Sequence, residues 1–572
     1  MGNNVNLVAR AALLGLLIQA ILHSPPLAAA DHQAQFIDTC RSIASTYFGG
    51  SSSENSWPST PSTLDADGNV LFAIGTTSSG LASGGYDLSY NGGGDVLVVK
   101  MDADLTQVLS ATYLGGAALE SADELYTDDA GRVYICGSTS SANFPMTPGA
   151  YDQTHSSAED AFVAVLSAGL DTLLASTFIG GNQYDIQCAM SVSTDGSIFT
   201  AFRTASTDLP TSPGAVQSSH SLAGADFYLI RLNSSLTTAL ASTYLGGNGD
   251  DLRPKLAIDG DGDVYCAGTT YSSNLPVGQG AYDIQNEDGS LDAFIFHISK
   301  ALDTILASTY VGGNGHDWSY SIMLDENKDV YITGHASADW PTTPGCFDST
   351  YGGNSEWGDE AYLSRLGGDL TTLKASTFLG GGAWDWGVDM ARDSEGYIYV
   401  VGETTSPDFP ATRGTCDSTC CDTTDMFVAK FDSMMQTLHL STFIGGSGED
   451  RWPGVLTATD DSVYIIGYTE SADLSTTAGA YDGTYNGGGD MYAVKFSFRP
   501  PDQPNFICGD VDGSGVINIL DVAALISYLY RGGQAPDPEW VGNANGEGGI
   551  NILDVGYLVN FIYREGPDPT CQ

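Results

Sequence analysis

The chain is long, acidic and rich in glycine. It has 572 residues, including 70 glycines, 70 acidic residues and only 20 basic ones, and its formal net charge is −50. A surface of this charge repels the phosphates of nucleic acids and the headgroups of anionic membranes, so we expect neither as a partner. The hydrophobic content of 42% is sufficient for a folded core. The charge is compatible with bound Ca²⁺ or with neutral polymers.

Residues 1–30 have the pattern of a secretory signal peptide. Arg10 supplies the positive charge, residues 11–22 form an apolar run, and Ala28-Ala29-Ala30 is a small-residue cleavage site. The run is shorter than a membrane-spanning helix. The alternative is a buried N-terminal helix. We therefore expect a secreted or surface-associated protein with no segment inserted in a membrane.

A phrase of the form S-T-Y-L-G-G occurs seven times between residues 45 and 446, at intervals of 65 to 68 residues. Each repeat carries four short runs rich in β-branched and aromatic residues, separated by Gly, Asp and Pro, which predicts four strands. In the fourth repeat these runs are residues 254–259, 263–270, 292–298 and 302–311. Seven four-stranded repeats predict a β-propeller, and an open solenoid is the alternative.

The two ends of the repeat region favour a closed ring. The first phrase, at residues 43–50, stands alone, whereas the last unit, residues 452–498, has three predicted strands and lacks the fourth. If the N-terminal strand completes the last blade, no strand edge is left unpaired. The predicted fold is therefore mainly β, a seven-bladed propeller over residues 41–498 that is closed by its N-terminal strand.

The repeated pattern S-T-Y-L-G-G…D…D-x-x-G-x-V-Y…G-x-T…D-A-F-V resembles the bacterial "SBBP" β-propeller repeat. The resemblance covers about residues 41–498. It implies a seven-bladed propeller in a bacterial secreted or surface protein, and it implies no particular reaction.

Two sets of carboxylates recur in every repeat. The first set lies five residues after the first glycine of each pair and comprises Glu54, Glu120, Asp185, Asp251, Asp317, Asp385 and Asp450. The second set opens the third predicted strand and comprises Asp95, Asp160, Asp226, Asp292, Glu360, Asp425 and Asp490. A carboxylate at a strand end can accept hydrogen bonds from turn N–H groups. Because the pattern is the same in all repeats, we interpret both sets as architectural.

Aromatic residues beside the first acidic set break this symmetry. They are Trp57, Tyr184, Trp318, Trp384, Trp386 and Trp452. Aromatic rings beside carboxylates can stack on sugar rings while the acids bind hydroxyl groups. We therefore treat these six residues as a candidate ligand face for a polysaccharide. The alternative is that they pack between blades.

No catalytic motif stands out. The histidines lack metal-binding spacing, there is no G-x-S-x-G elbow, and no pair of carboxylates can be selected for glycoside hydrolysis. His297, in a predicted strand, is interpreted as structural. We expect Cys136 and Cys266 to be buried thiols, Cys416, Cys420 and Cys421 to form a local bridge, and Cys508 to pair with Cys571.

Residues 499–507 contain three prolines and are typical of a semi-rigid linker. Two related twelve-residue segments follow, residues 510–521 and 543–554. Their oxygen donors fall at the positions of a Ca²⁺-binding loop, with glycine at position 6. The predicted ligands are Asp510, Asp512, Ser514, Val516, Asn518 and Asp521 in the first loop, and Asn543, Asn545, Glu547, Gly549, Asn551 and Asp554 in the second. We expect two Ca²⁺ ions, bound more weakly in the second loop, which has fewer carboxylates.

Each loop precedes a predicted amphipathic helix. The apolar stripes are Val522, Leu525, Ile526 and Leu529, and Val555, Leu558, Val559 and Ile562. Two loop–helix units at a chain terminus resemble a type I dockerin, over about residues 508–567. This resemblance implies Ca²⁺-dependent folding and binding to a cohesin domain. The pair before position 12, often polar in dockerins, is Ile519-Leu520 and Ile552-Leu553 here. These residues form two equivalent binding faces or pack within the module.

We therefore expect a secreted, non-catalytic binding or display propeller that a dockerin-like domain, residues 508–572, attaches to a cohesin-bearing partner. One alternative is an enzyme that degrades polysaccharides by hydrolysing or eliminating glycosidic bonds. The other is a structural surface or adhesion protein.

Overall fold

The computed structural model describes residues 40–498 except 56–58, 157, 279, 287–288, 354–358, 413–414, 419 and 421–422. In the C-terminal segment it describes residues 509, 511, 517, 519–531, 536, 542–545 and 550–564. The predicted signal peptide and linker lie outside the described residues.

The described part of the propeller region is built from antiparallel strands. They are β1 (Arg41–Phe48), β2 (Glu54–Asn55), β3 (Ser62–Leu64), β4 (Val70–Thr76), β5 (Asp95–Met101), β6 (Val108–Leu114), β7 (Glu120–Thr127), β8 (Val133–Thr139), β9 (Asp160–Leu166), β10 (Leu173–Ile179), β11 (Asp185–Val192), β12 (Ile198–Thr204), β13 (Asp226–Leu232), β14 (Ala239–Leu245), β15 (Asp251–Ile258), β16 (Val264–Thr270), β17 (Asp292–Ile298), β18 (Ile305–Val311), β19 (Trp318–Leu324), β20 (Val330–Ala336), β21 (Glu360–Leu366), β22 (Leu373–Leu379), β23 (Asp385–Arg392), β24 (Ile398–Thr404), β25 (Asp425–Phe431), β26 (Leu438–Ile444), β27 (Asp450–Thr457), β28 (Ser462–Thr469) and β29 (Asp490–Ser497).

These strands form seven sheets, which are the blades of a propeller. Blades 2 to 6 are β7–β10, β11–β14, β15–β18, β19–β22 and β23–β26, each in sequential order. Blade 1 is β2–β6, in which the short strands β2 and β3 both pair with β4. Blade 7 combines β27–β29 with the N-terminal strand β1. The predicted seven-bladed propeller is confirmed.

The N-terminal strand closes the ring. β1 pairs with β29 in antiparallel register, with Tyr47 opposite Tyr492 and Phe48 opposite Met491. Backbone hydrogen bonding therefore joins the two ends of the repeat region, so the predicted closure is confirmed and the open-solenoid alternative is wrong. Closure leaves no blade with an unpaired fourth strand.

The first strand of each blade lies innermost, since neighbouring blades contact each other through these strands around the ring. We call the face where the first strands begin the upper face and the opposite face the lower face. In blade 4 the first strand begins three residues before the predicted run. Asp251 and Leu252 already pair with Thr270 and Thr269 there, ahead of a β-bulge.

The core lies between blades rather than within one of them. One cluster, for example, packs Tyr265 and Ile295 of blade 4 against Ile332, Trp340 and Tyr362 of blade 5. Both faces of the middle strands are covered, which explains their continuous apolar runs. A fully buried large side chain contributes roughly 1.5–3 kcal/mol to stability, so each blade is stabilised mainly by its neighbours.

A disulfide bond reinforces the closure. Cys40, directly before β1, is bonded to Cys416 in the loop between β24 and β25 of blade 6. Cys416 therefore does not take part in the local bridge predicted among Cys416, Cys420 and Cys421, because the fold brings its loop to the N-terminal strand. Cys420 is also disulfide-bonded. Cys136 and Cys266 are fully buried free thiols, as expected, whereas Cys421, Cys508 and Cys571 lie outside the described residues.

Two helices occur in the described C-terminal segment, α1 (Ile519–Arg531) and α2 (Ile552–Arg564). Their predicted apolar stripes form one small core centred on Val522, Leu525, Val555 and Leu558. Within the described part of the chain, no helix is long and apolar enough to cross a membrane.

Candidate functional site

The first strands of blades 2 to 7 each carry a β-bulge beside the central channel. A bulge inserts one extra residue and changes the direction of the side chains around it. In blades 3, 4 and 7 the bulge contains Gln187, Arg253 and Trp452, which have left-handed backbone conformations with φ of 57°, 55° and 54°. Non-glycine residues adopt this conformation at an energetic cost, and such strain concentrates at functional sites.

A second set of channel residues lies beside the bulges, at the upper ends of the second strands. Here the next-to-last residue differs in all seven blades, although a glycine usually precedes it and a threonine usually follows it. The seven residues, which we call the rim, are Gly75, Ser138, Arg203, Thr269, His335, Glu403 and Tyr468. Each pairs with a residue near the start of the adjacent first strand. The repeat thus keeps its framework constant and varies the side chains around the channel mouth.

The first acidic set belongs to that constant framework. All seven carboxylates are at most 1% exposed, and each accepts a hydrogen bond from the N–H of the second glycine of its pair, at 2.8–3.1 Å. Several also accept one from the threonine that ends the second strand, such as Thr139 on Glu120 at 2.7 Å. These contacts agree with the architectural interpretation.

The second acidic set is buried as well, and it meets the first set at the junctions between blades. Burial and the neighbouring carboxylate Glu120 raise the pKa of Asp95 to about 6. Burial similarly raises the pKa of Asp185 and Asp251 to about 7 and that of Glu360 to about 8. These carboxyl groups hold the blade corners, and their protonation is coupled to folding.

An aromatic stack lies at the upper face between blades 5 and 6. The rings of Trp384 and Trp386 are 6.1 Å apart at 12°, and Trp386 stacks on His335 at 4.8 Å and 15°. On its other side His335 stacks on Trp318 at 5.9 Å and on Tyr320 at 5.5 Å. Trp384 is 57% exposed, whereas Tyr320 and His335 are buried. The outer indole therefore offers one large ring face to solvent, supported by the rings beneath it.

Polar groups adjoin this stack. The Tyr320 hydroxyl lies 3.2 Å from His335 Nε2, and the Arg253 guanidinium lies over Tyr320 at 4.8 Å and over Trp318 at 5.3 Å. Cation–π contacts of this kind hold the guanidinium near the channel mouth. The sequence pattern points to the three tryptophans of the stack, but not to Tyr320, His335 or Arg253. The divergence of the rim positions from the repeat is the signal that identifies His335.

The other predicted ligand-face residues lie apart from this stack. Tyr184 is half-buried beneath the Arg203 guanidinium, at 5.3 Å. Trp452 is half-buried against Tyr468, at 5.3 Å. Trp57 lies outside the described residues. The structure thus brings together Trp318, Trp384 and Trp386, and places Tyr184 and Trp452 in other blades.

Glu403 connects the stack to blade 7. Its Oε1 accepts a hydrogen bond from the Trp452 N–H at 3.0 Å, and burial raises its pKa to about 7. Glu403 also pairs in register with Trp386. A carboxyl group that is partly protonated near neutral pH is therefore present beside the aromatic groups.

A cavity of about 250 Å³ lies among the first strands of blades 1 to 4. Its lining includes Asp123, Glu159, Gln187, Arg253 and Lys255. Lys255 Nζ lies 3.3 Å from Glu124 of blade 2, and Asp123 accepts a hydrogen bond from the Cys188 N–H at 2.9 Å. Burial raises the pKa of Asp123 to about 6. Arg253 lines this cavity and contacts the aromatic stack, so it links the two.

In the C-terminal segment, the structure describes Asp521, Asn543, Asn545, Asn551 and Asp554 of the predicted Ca²⁺ ligands. Asp521 and Asp554 are completely buried. Asp554 accepts hydrogen bonds from the N–H groups of Asn545 at 3.1 Å and Asn551 at 2.8 Å. Buried carboxylates together with the asparagine residues of the same loop are an oxygen donor set that fits Ca²⁺. The other predicted ligands, Asp510, Asp512, Ser514, Val516, Asn518, Glu547 and Gly549, lie outside the described residues.

The apolar pairs at the helix starts face solvent where the structure describes them. Leu520 is 59% exposed, Ile552 52% and Leu553 65%. Of the two alternatives, packing within the module is therefore wrong for these three residues, because the stripe on the opposite side of each helix forms the core. Exposed leucines at related positions of two helices are typical of an interaction surface.

Two family descriptions match parts of the chain. Residues 242–276 and 366–410 match the beta-propeller repeat family, and residues 508–563 match the dockerin type I domain family. No curated protein matches. Type I dockerin domains bind calcium, and a dockerin implies a cohesin partner.

The solved structures that align with this chain have little sequence in common with it. A protein of unknown function from Dyadobacter fermentans is 9% identical, with a TM-score of 0.39, and the match covers 81% of this chain and 100% of that one. The polysaccharide lyase Uly1 is 10% identical, with a TM-score of 0.39 and coverage of 80% and 98%. An ulvan lyase is 9% identical, with a TM-score of 0.40 and coverage of 77% and 96%. These values are too low to relate activities. The chain carries beta-propeller repeats within a seven-bladed ring, followed by a type I dockerin domain.

Proposed function

We propose that the propeller is a polysaccharide-binding domain and that the dockerin attaches it, in a Ca²⁺-dependent manner, to a cohesin-bearing partner outside the cell. Export through the signal peptide and the binding of two Ca²⁺ ions are parts of this proposal. The observation that carries it is the exposed Trp384 indole, supported from beneath by Trp386 and His335 at the channel mouth.

Carbohydrate recognition needs a flat apolar surface with polar groups at its edge. Trp384 supplies the surface, Arg253 of the blade 4 bulge supplies a cation, and Glu403 of the rim supplies a carboxyl group. Arg253 also provides a positive charge within a strongly acidic protein, which favours sugars that carry carboxylate groups. The variation among rim residues supports a binding role, since architecture alone would keep them alike.

Binding is tested by incubating the full-length chain with neutral polysaccharides and with polymers of uronic acids, and measuring depletion of the protein. We expect Trp384→Ala to weaken binding about tenfold, the loss of about 1.4 kcal/mol of stacking. Tyr126→Ala removes another exposed aromatic ring, at the lower end of β7, and serves as the matched control. Equal binding by both variants would contradict the proposal.

Cleavage of the polysaccharide is a second candidate function. The observation that favours it is the hydrogen bond between Tyr320 and His335, with the Arg253 guanidinium over the phenol ring. A phenol and an imidazole that are joined by a hydrogen bond beside a cation have the chemistry for proton transfer next to a sugar carboxylate. Release of sugar ends in the same assay, lost in Tyr320→Phe while binding is retained, would establish this function. Binding without release would support the non-catalytic role.

A further inference from the structure

Asp259, Asp263 and His297 lie together on the lower face of blade 4, far along the strands from the aromatic stack. Asp259 and Asp263 belong to the turn between β15 and β16, and His297 is the next-to-last residue of β17. One ligand atom from each of the three side chains lies within 4.8 Å of the other two. We propose that these residues form a binding site for a divalent transition metal ion such as Zn²⁺.

The turn directs one carboxylate oxygen of Asp259 toward the histidine. Asp259 Oδ1 accepts hydrogen bonds from the N–H groups of Asp261 at 2.9 Å and Asp263 at 3.0 Å. Its other oxygen, Oδ2, lies 3.9 Å from His297 Nε2. The Asp259 side chain is only 1% exposed. One oxygen therefore maintains the turn, and the other faces His297, where it also forms an ion pair with Lys328.

His297 is held in a fixed orientation with a free ring nitrogen. Its imidazole stacks on Tyr265 at 4.0 Å and 11°, and its buried Nε2 has no hydrogen-bond partner among the described residues. An imidazole with two carboxylates is a donor set that suits Zn²⁺ and leaves coordination positions for water.

The other blades show what this position does when it has no metal-binding function. The residues equivalent to His297 are Lys100, Val165, Arg231, Arg365, Lys430 and Lys495. All of these except Val165 are lysine or arginine. Most of the lysine and arginine side chains form an ion pair with an aspartate of the turn between the first and second strands, such as Lys100 with Asp65 at 2.7 Å and Arg231 with Asp195 at 2.6 Å. Only blade 4 replaces the permanent cation by a metal-binding side chain.

Lys328 supplies positive charge to this site from blade 5. Its Nζ lies 2.8 Å from Asp259 Oδ2 and also pairs with Asp261, and its side chain is 41% exposed. His297 and Lys328 line an open cavity of about 660 Å³, which gives a metal ion access from solvent. Lys328 and the metal compete for Asp259 Oδ2, and the lysine can remain on Asp261 when the metal binds.

The test is calorimetric titration of the full-length chain with Zn²⁺ in saturating Ca²⁺, which keeps the dockerin loops filled. We expect the wild type to bind one more equivalent than His297→Arg, and Lys328→Met to bind that equivalent more tightly. His297→Arg introduces the side chain found at Arg231 and Arg365, so it retains the fold, and an unchanged melting temperature in Ca²⁺ checks this. Equal Zn²⁺ binding by the wild type and His297→Arg would overturn the proposal. We expect His297→Gln, which has a neutral side chain, to lose the same equivalent of Zn²⁺.

Discussion

Asp490 and Glu54 flank Gly49 at the point where blade 7 meets blade 1. A Cβ atom at Gly49 would overlap Asp490 Oδ1 and lie 2.9 Å from Glu54 Oε2, so only glycine fits between them. Burial, together with the charge of Glu54, raises the pKa of Asp490 to about 6. The same arrangement recurs at Gly115 with Asp95 and Glu120. Pairs of buried carboxylates thus connect successive blades, including the two that close the ring.

These pairs predict that the propeller is more stable in mild acid than in mild base. The carboxyl groups of unfolded Asp and Glu have ordinary pKa values of 3.8 and 4.5, whereas burial raises the pKa of folded Asp95, Asp251 and Glu360 to about 6, 7 and 8. Between these two sets of pKa values the folded chain binds more protons than the unfolded chain. The stabilisation that these groups contribute is therefore complete below pH 4–5 and is lost as the pH rises through 6–8. For Asp251 alone the effect is of the order of 4 kcal/mol.

Calorimetry in constant Ca²⁺ should therefore show a melting temperature that falls between pH 5.5 and pH 8. Asp95→Asn keeps the size of the side chain and removes its titration, so we expect it to flatten this dependence and to stabilise the chain at pH 8. A melting temperature that rises over this interval would contradict the prediction.

Loss of the disulfide should weaken closure of the ring. Cys40–Cys416 ties the residue before β1 to blade 6, and removing a bond that constrains the unfolded chain typically costs about 2–4 kcal/mol. We expect Cys416→Ser to lower the free energy of unfolding in urea by this amount. Cys346→Ser, which removes a free half-buried thiol, is the control and should have a much smaller effect. If both variants unfold alike, the bond does not stabilise the closure.

Removal of Ca²⁺ should unfold the C-terminal helices and leave the propeller folded. The buried carboxylates of Asp521 and Asp554 lie at the starts of α1 and α2, and without a cation their burial is unfavourable. Circular dichroism with EDTA should show loss of helical signal while the main melting transition persists. Asp521→Asn should lower Ca²⁺ affinity in the first loop and Asp554→Asn in the second, and a helical signal that is unaffected by EDTA would refute the assignment.

The exposed leucines of the dockerin domain should contribute to cohesin binding. Leu520 and Leu553 occupy equivalent positions in the two units, so either unit can present the binding face. We expect Leu520→Asp or Leu553→Asp to retain binding to a panel of cohesin domains and the double variant to lose it. Tyr530→Ala, which alters an exposed side chain near the end of α1, is the control. Wild-type binding by the double variant would exclude this surface.

The sequence by itself determined the repeat, the number of blades and the N-terminal closure, because these depend on local strand patterns that recur at a constant spacing. It also determined the apolar stripes of the two C-terminal helices. Local rules were sufficient because the framework residues, such as Glu120 with Gly116 and Thr139, interact within one turn or between neighbouring strands.

Only the tertiary structure decided which side chains meet. Trp384, His335 and Arg253 come from three different blades, and the β-bulge that contains Arg253 leaves no local signature in the sequence. Cys40 meets Cys416 for the same reason, since ring closure brings together residues that are distant in the chain. Contacts between blades depend on the geometry of the whole ring. A periodic sequence shows which residues differ from the repeat, but it does not show which of them come into contact.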